Sequence, residues 1–124
     1  MSRPALTTMA AVALIALAAC SPGAEPSGST AAAATCSEST AAGAVAVTII
    51  NFAFQPVDIS AKPNEVIGFT NTGSAPHTAT LDEGDCKTPT LNGGDSGGLT
   101  FSAAGTYPFH CSIHPAMKGT IVIN

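Results

Sequence analysis

Apolar and polar residues alternate along most of the chain from Val45 to Asn124, with the period of two that is typical of a β-strand. The clearest runs are Val57-Asp58-Ile59-Ser60-Ala61, Ile67-Gly68-Phe69-Thr70, Leu99-Thr100-Phe101-Ser102 and Thr120-Ile121-Val122-Ile123. Turn-forming residues separate the runs, at Lys62–Asn64, Asn71–Gly73, Asn92–Gly94 and Ala104–Gly105. No stretch keeps a helical period over the length of a normal helix. The pattern predicts an all-β fold, an antiparallel β-sandwich of about seven short strands.

Residues that bind metals cluster near the end of the chain. Cys111, His114 and Met117 follow one another at the spacing Cys-x2-His-x2-Met, and His77 lies upstream. Two imidazoles and one thiolate, with a distant thioether, form the ligand set of a blue copper site. The alternation puts His77 and Cys111 on inward faces, at the start of one strand and the end of another. If those strands are antiparallel, the ligands meet at one end of the sandwich.

Other metal sites fit these residues less well. His110 faces the opposite side of the strand from Cys111, so we interpret it as an outward-facing structural histidine. No His-x-His pair occurs in the chain, which disfavours the additional copper cluster of a multicopper oxidase. Structural zinc takes four strong ligands, and with Cys20 set aside as the predicted lipid site discussed below, Cys36 and Cys86 are the only further thiols that could complete such a set.

The cluster resembles the site of the small type 1 copper proteins, the cupredoxins of the plastocyanin and amicyanin kind. The short spacing from Cys111 to Met117 is most similar to amicyanin, and further matches lie at residues 51–56 (NFAFQP) and 71–78 (NTGSAPHT). The resemblance extends from residue 45 to residue 124 and implies a Greek-key topology and single-electron transfer. It also implies one type 1 copper ion per chain, with the metal ligands His77, Cys111, His114 and Met117.

The same resemblance implies a supporting hydrogen bond and a route for the electron. In the family, side chains at the positions of Thr78 and Ser112 bond across and tie the ligand loop to the neighbouring strand. Many members carry Asn where this chain has Thr78, so we expect a shorter or weaker tie. The exposed edge of His114 is expected to pass electrons to a redox protein that docks around it. The expected docking surface is uncharged and consists of Ala75, Pro76, Ile113, Pro115 and Ala116.

The first 44 residues predict a leader and a tether. Residues 1–19 have a basic start and an uncharged apolar core that is short for a membrane span, as in a secretory signal peptide. They end in Leu17-Ala18-Ala19-Cys20, which resembles a bacterial lipobox and makes Cys20 the predicted lipid attachment site. An ordinary signal peptide cut near Ala19 is the alternative. Residues 20–44 lack bulky apolar side chains and predict a flexible tether, followed by the cupredoxin domain at 45–124.

Charge excludes one class of partner. The chain has a formal net charge of −4 with only four Lys and Arg residues, so it offers no basic surface for nucleic acid. Acidic residues concentrate at Asp82, Glu83, Asp85 and Asp95. This acidic group is either a solvated loop or a docking patch for a basic redox partner.

Four cysteines divide into different roles. Lipid on Cys20 and metal on Cys111 leave Cys36 and Cys86 as an even remainder. Two remaining cysteines outside the cytoplasm usually pair, so a Cys36–Cys86 disulfide is predicted. Two free thiols, or a bridge to another molecule, are the alternatives.

These observations favour a monomeric electron carrier that works outside the cytoplasm, anchored by lipid to a bacterial membrane. The alternative is a copper storage, delivery or stress-protection protein that uses the same ligands. Delivery proteins often carry tracts rich in Met or His, and this chain has none. An enzyme is disfavoured, because no nucleophile–base pair or paired acidic residues stand out.

Overall fold

The structure is a computed structural model that describes residues 35–124. All the regular elements named in this part of the chain are β-strands. These residues include no helix that is long and apolar enough to cross a membrane. The strands are β1 (Cys36–Ser39), β2 (Val45–Ile50), β3 (Ala53–Gln55), β4 (Asp58–Ala61), β5 (Val66–Asn71), β6 (Thr80–Leu81), β7 (Ser96–Phe101), β8 (Gly105–His110) and β9 (Lys118–Ile123). The predicted signal peptide and the lipid site at Cys20 lie outside the described residues.

The strands form two sheets, and this confirms the predicted all-β sandwich. One sheet has the order β1-β7-β5-β2-β3 and the other the order β4-β9-β8-β6. Most strand pairs are antiparallel, as predicted, but β2 pairs with β5 and β4 pairs with β9 in parallel, so both sheets are mixed. Period-two alternation is the same in both kinds of pair, so it carries no information about strand direction.

The core lies between the sheets and follows the alternation. In β4 and in β9 every second side chain is buried: Ile59 and Ala61 in the first, Ile121 and Ile123 in the second. Burial of each isoleucine side chain contributes roughly 1.5–3 kcal/mol. Because the two strands pair with Ile59 opposite Ile121, their apolar faces point to the same side of the sheet.

Three phenylalanine rings pack together at the centre of this core. Phe54 and Phe109 have ring centroids 4.7 Å apart, and Phe69 lies 5.8 Å from Phe109. Gly119 is required beside them, since a Cβ at this position would come within 2.5 Å of the Phe109 ring. Close packing of this kind holds Phe109 in place, and Phe109 lies two residues before Cys111.

The first strand corrects the predicted extent of the tether. Residues 36–39 were predicted to be flexible, but β1 pairs with β7 over four residues, from Cys36 opposite Phe101 to Ser39 opposite Gly98. Strand β1 has no bulky apolar side chain, so its sequence gives no alternation to detect. Backbone hydrogen bonds to β7 stabilise it instead, together with a disulfide.

The disulfide joins Cys36 to Cys86, as predicted, with Cα atoms 6.0 Å apart. Cys36 belongs to β1, at the edge of the first sheet, and Cys86 lies beside β6, at the edge of the second. The bridge therefore connects the two sheets along one side of the sandwich. On the other side the chain itself makes the connection, where β3 leads into β4.

Replacement of Cys36 and Cys86 together by Ser is expected to lower the free energy of unfolding by roughly 2–4 kcal/mol, because the bridge restricts the unfolded chain. Urea unfolding of the metal-free protein measures the change. Ser37→Ala, an exposed position on the same strand, serves as the control. An equal free energy of unfolding for the double variant and the wild type would contradict the expectation.

Candidate metal centre

His77 is held by backbone pairing between two segments without regular structure. Its N–H donates to the carbonyl of Leu91 at 3.0 Å, and the Leu91 N–H donates back at 2.8 Å. The side chain of His77 is fully buried. Its Nε2 atom is buried and has no hydrogen-bond partner among the described residues. The ring orientation is therefore set by packing, with Nδ1 directed at the other candidate ligands.

Asn71 shapes the loop that leads to His77, a role that neither its turn pattern nor the family match at residues 71–78 had indicated. It is fully buried at the end of β5. Its side-chain amide donates to the carbonyls of Ala75 at 2.7 Å and Leu91 at 2.9 Å, and its Oδ1 accepts from the Gly73 N–H at 2.9 Å. This one side chain, bonded through both its amide nitrogen and its oxygen, therefore joins two parts of the loop to the segment of Leu91.

Cys111, His114 and Met117 lie on the short loop between β8 and β9. The loop closes on itself, because Cys111 N–H donates to the Met117 carbonyl at 3.0 Å and Met117 N–H donates to the His114 carbonyl at 2.9 Å. Cys111 and Met117 are buried, whereas His114 is half-buried. The loop thus directs two sulfur side chains inward and leaves the imidazole at the surface.

Three of the four predicted ligands come together. Cys111 Sγ lies 3.7 Å from His77 Nδ1 and 3.8 Å from His114 Nδ1, and the two Nδ1 atoms are 3.2 Å apart. These residues are the one group of candidate metal ligands found among residues 35–124. Met117 is buried beside them on the same loop.

The spacing of the three donors fits a bound metal ion. Metal–nitrogen bonds of about 2.0–2.1 Å and metal–sulfur bonds of about 2.3 Å, the zinc values, put two nitrogen donors of one ion at most about 4.2 Å apart and a nitrogen and a sulfur donor at most about 4.4 Å apart. All three observed separations are shorter than these limits. Two imidazoles and a thiolate with a nearby thioether are, moreover, the donor chemistry of a blue copper site.

Burial and charge keep the inner histidine neutral. Removal of the ring from water lowers the pKa of His77 below its usual value of 6.5, and the adjacent His114 lowers it further by repulsion. A neutral imidazole has a free nitrogen lone pair for a metal. The Thr78 N–H donates to Cys111 Sγ at 3.4 Å, a contact that helps to fix the position of the sulfur.

Thr78 and Ser112 make the predicted tie. Their hydroxyl oxygens are 2.9 Å apart, and the Ser112 N–H also donates to Thr78 Oγ1 at 2.9 Å. Threonine is short, but the backbone N–H of Ser112 reaches its hydroxyl directly. The tie is therefore made twice, once between side chains and once to the backbone.

His110 faces outward, as predicted, and does not belong to the group of donors. Its Nδ1 lies 2.5 Å from Asp82 Oδ1 on the outer side of the sheet. Asp82 belongs to the acidic group, so one carboxylate of that group contacts His110, which the sequence pattern did not indicate.

The surface around His114 includes one residue that the sequence analysis did not assign. Of the expected residues, Ile113, Pro115 and Ala116 line a depression beside His114, whereas Ala75 and Pro76 do not, and Phe52 lines it in addition. Phe52 lies in the turn between β2 and β3. An apolar residue in a turn was the available signal, since turns favour polar residues.

Comparisons with known proteins agree with this geometry. The Cupredoxin-like domain family matches residues 9–123. The chain belongs to this family. Amicyanin-alpha of Methylorubrum extorquens is 32% identical over 87 residues, which are 66% of this chain and 73% of that protein. Amicyanin of Paracoccus denitrificans is 30% identical over 86 residues, 65% of this chain and 66% of that protein.

A solved structure of a reduced tryptophan-to-tyrosine variant of amicyanin is also similar, with a TM-score of 0.62 and 30% identity. The match covers 80% of this chain and 95% of that one. Cupredoxins of the amicyanin and plastocyanin type are electron-transfer proteins and not enzymes, and they hold one type 1 copper ion. The donors of this chain fit that ion.

The lowered pKa of His77 predicts how the stability of the metal-free cupredoxin depends on pH. Unfolded His77 takes up a proton near pH 6.5, whereas the folded ring does so only at lower pH. The unfolded state therefore binds more protons as the pH falls below 6.5, and the free energy of unfolding decreases until the folded ring is protonated too.

Urea unfolding at a series of pH values from about 7 to about 5 measures this decrease. His77→Gln should show a shallower decrease than the wild type, whereas His110→Gln, on the outer face, should keep the wild-type contribution of His77. Parallel curves for the wild type and His77→Gln would show that His77 does not cause the effect.

Proposed function

We propose that this chain is a type 1 copper electron-transfer protein that works outside the cytoplasm, with copper bound by His77, Cys111 and His114 and weakly by Met117. The observation that carries the proposal is the triangle of two Nδ1 atoms and one Sγ, with sides of 3.2, 3.7 and 3.8 Å. A bound copper ion supplies a single-electron couple between Cu(I) and Cu(II).

The protein residues provide a site that changes little between the two states. Cys111 and His77 are fully buried and Met117 nearly so, which keeps water away from three of the four donors. Their backbones are held by hydrogen bonds in the ligand loop and opposite Leu91. Donors that are already in place need little rearrangement, and small rearrangement favours fast electron exchange.

His114 is the proposed route for the electron. It is the one half-buried ring of the triangle, and the depression beside it is lined by uncharged residues. A redox protein can approach there without removing water from charged groups.

The acidic group at residues 82–85 and Asp95 favours a basic partner. Electron transfer to such a partner should slow as salt is added, because salt screens the attraction between the two proteins. A rate that is independent of salt would contradict this part of the proposal.

The proposed location rests on the leader and on the disulfide. Cys36 and Cys86 are paired, which is usual for proteins outside the cytoplasm. Strand β7 starts beside Thr70, near the donors, and finishes at Phe101 opposite Cys36. A chain anchored through Cys20 would therefore enter at the end far from His114. Mass spectrometry of the mature protein decides whether Cys20 carries lipid.

A visible spectrum of the copper-loaded protein, followed by a redox titration, tests the proposed function. An intense blue band that bleaches and returns reversibly is expected, because the band requires a copper–thiolate bond. Cys111→Ser should lose the band, and Met117→Leu should keep it with a higher potential, since loss of a weak donor disfavours Cu(II). The Cys36→Ser, Cys86→Ser double variant should remain blue.

Several outcomes would contradict the proposal. A blue Cys111→Ser protein would show that another sulfur binds the metal. Slow, incomplete redox cycling with easy loss of copper would favour a storage or delivery protein. Loss of copper binding in Met117→Leu would show that Met117 is a strong ligand and that the geometry is of a different kind.

A further inference from the structure

Phe52 is the most exposed large apolar residue described, with 59% of its surface accessible, and yet it contacts both histidines of the triangle. Its ring centroid lies 5.0 Å from that of His114 and 6.0 Å from that of His77, with interplanar angles of 70° and 79°. Both contacts have the edge-to-face geometry that aromatic rings prefer. A single exposed apolar side chain needs no explanation, but one placed against two donors does.

The turn that carries Phe52 is fixed to the loop that leads to His77. Ile50 pairs with Ala53, so Asn51 and Phe52 form a tight two-residue connection between β2 and β3. The Asn51 side chain donates to Ser74 Oγ at 3.1 Å and accepts from the Ala75 N–H at 3.3 Å. The position of Phe52 relative to the histidines is therefore set by the backbone on both sides.

The Phe52 turn also packs directly against Gly73. A Cβ at Gly73 would come within 2.2 Å of Asn51 Oδ1, so the two loops touch with no space for a side chain between them. Contact this close leaves the turn little freedom to move away from the His77 loop. Phe52 therefore lies on a turn that is fixed to the loop of one donor, His77, and its ring contacts the ring of another donor, His114.

His114 lacks such support from its own loop. It is half-buried, and its carbonyl accepts one hydrogen bond, from Met117 N–H at 2.9 Å. On its inner side the ring faces His77 Nδ1 and Cys111 Sγ. Apart from the other donors, the aromatic ring that the His114 imidazole contacts is that of Phe52. Rotation of the imidazole away from the other donors requires it to leave this contact.

We infer that Phe52 is a positioning residue for His114: it holds the imidazole in the donor triangle and slows the release of copper. The inference rests on the proposed copper site, since it concerns how firmly one of its ligands is kept. Phe52 itself offers no ligand atom, so it acts only through the orientation of His114. Its role is to keep His114, the half-buried donor, beside the two buried donors His77 and Cys111.

The rate of copper release tests the inference. The mature protein, Phe52→Ala, Phe52→Tyr and Val57→Ala are loaded with Cu(II) and mixed with an excess of a colourless chelator, and loss of the blue band is followed in time. Release from Phe52→Ala is expected to be roughly two- to tenfold faster, the range that corresponds to one aromatic contact. Phe52→Tyr keeps the ring and should release copper at the wild-type rate.

Val57→Ala is the matched control. Val57 is also a large exposed apolar residue, with 50% of its surface accessible, but it lies beside β4 and does not line the depression at His114. Its copper release should equal that of the wild type. Equal release from Phe52→Ala and the wild type would overturn the inference, and so would an equal acceleration in Phe52→Ala and Val57→Ala.

A measurement on the metal-free protein separates positioning from general stability. NMR contacts between the His114 and His77 rings should weaken in metal-free Phe52→Ala and persist in Phe52→Tyr. The free energy of unfolding of the metal-free protein should be the same in Phe52→Ala and Val57→Ala. Unchanged ring contacts in Phe52→Ala would overturn the inference.

The two proposals fail in different ways. If the wild type forms no blue copper site, the proposed function fails whatever Phe52 does. If the wild type is blue and Phe52→Ala releases copper at the same rate, the proposed function stands and the positioning role of Phe52 is wrong.

Discussion

The hydrogen bonds of Thr78 connect the two segments that carry the donors, and the site depends on them. Thr78 donates from its N–H to Cys111 Sγ, and its hydroxyl meets both the hydroxyl and the N–H of Ser112. Regular pairing between these segments is only two residues long, in β6 and β8. Thr78 therefore sets the distance between His77 and Cys111, with two bonds to the ligand loop and one to the sulfur itself.

The core beneath the site makes this connection rigid. Phe109 packs against Phe54 and Phe69, with Gly119 leaving space for its ring. Because protein interiors are close-packed, a ring in this position cannot shift without moving its neighbours. Cys111 follows two residues later, so the core limits the movement of the sulfur. The half-buried His114 does not follow a core residue in this way. It contacts Phe52 instead, which lies on a turn that is bonded to the loop of His77.

Sequence pattern was sufficient for the features that depend on local spacing. Alternation located most strands, and the spacing from Cys111 to Met117 located the ligand loop, because both follow from the covalent chain. Sequence pattern was insufficient for features that depend on backbone pairing or on contacts between distant loops. Strand β1 has no apolar pattern and is held by β7 and the disulfide, parallel pairing leaves the alternation unchanged, and the contact of Phe52 with His114 exists only once two loops meet.

The fold, and not the metal, brings His77, Cys111 and His114 together in this account. Crystal structures of the metal-free, reduced and oxidised protein would show whether the donors keep their positions without copper. We expect the separations between the two Nδ1 atoms and Sγ to agree within about 0.5 Å in all three states, the tolerance of a preorganised site. A metal-free structure in which the donors lie apart and assemble only on copper binding would contradict the account.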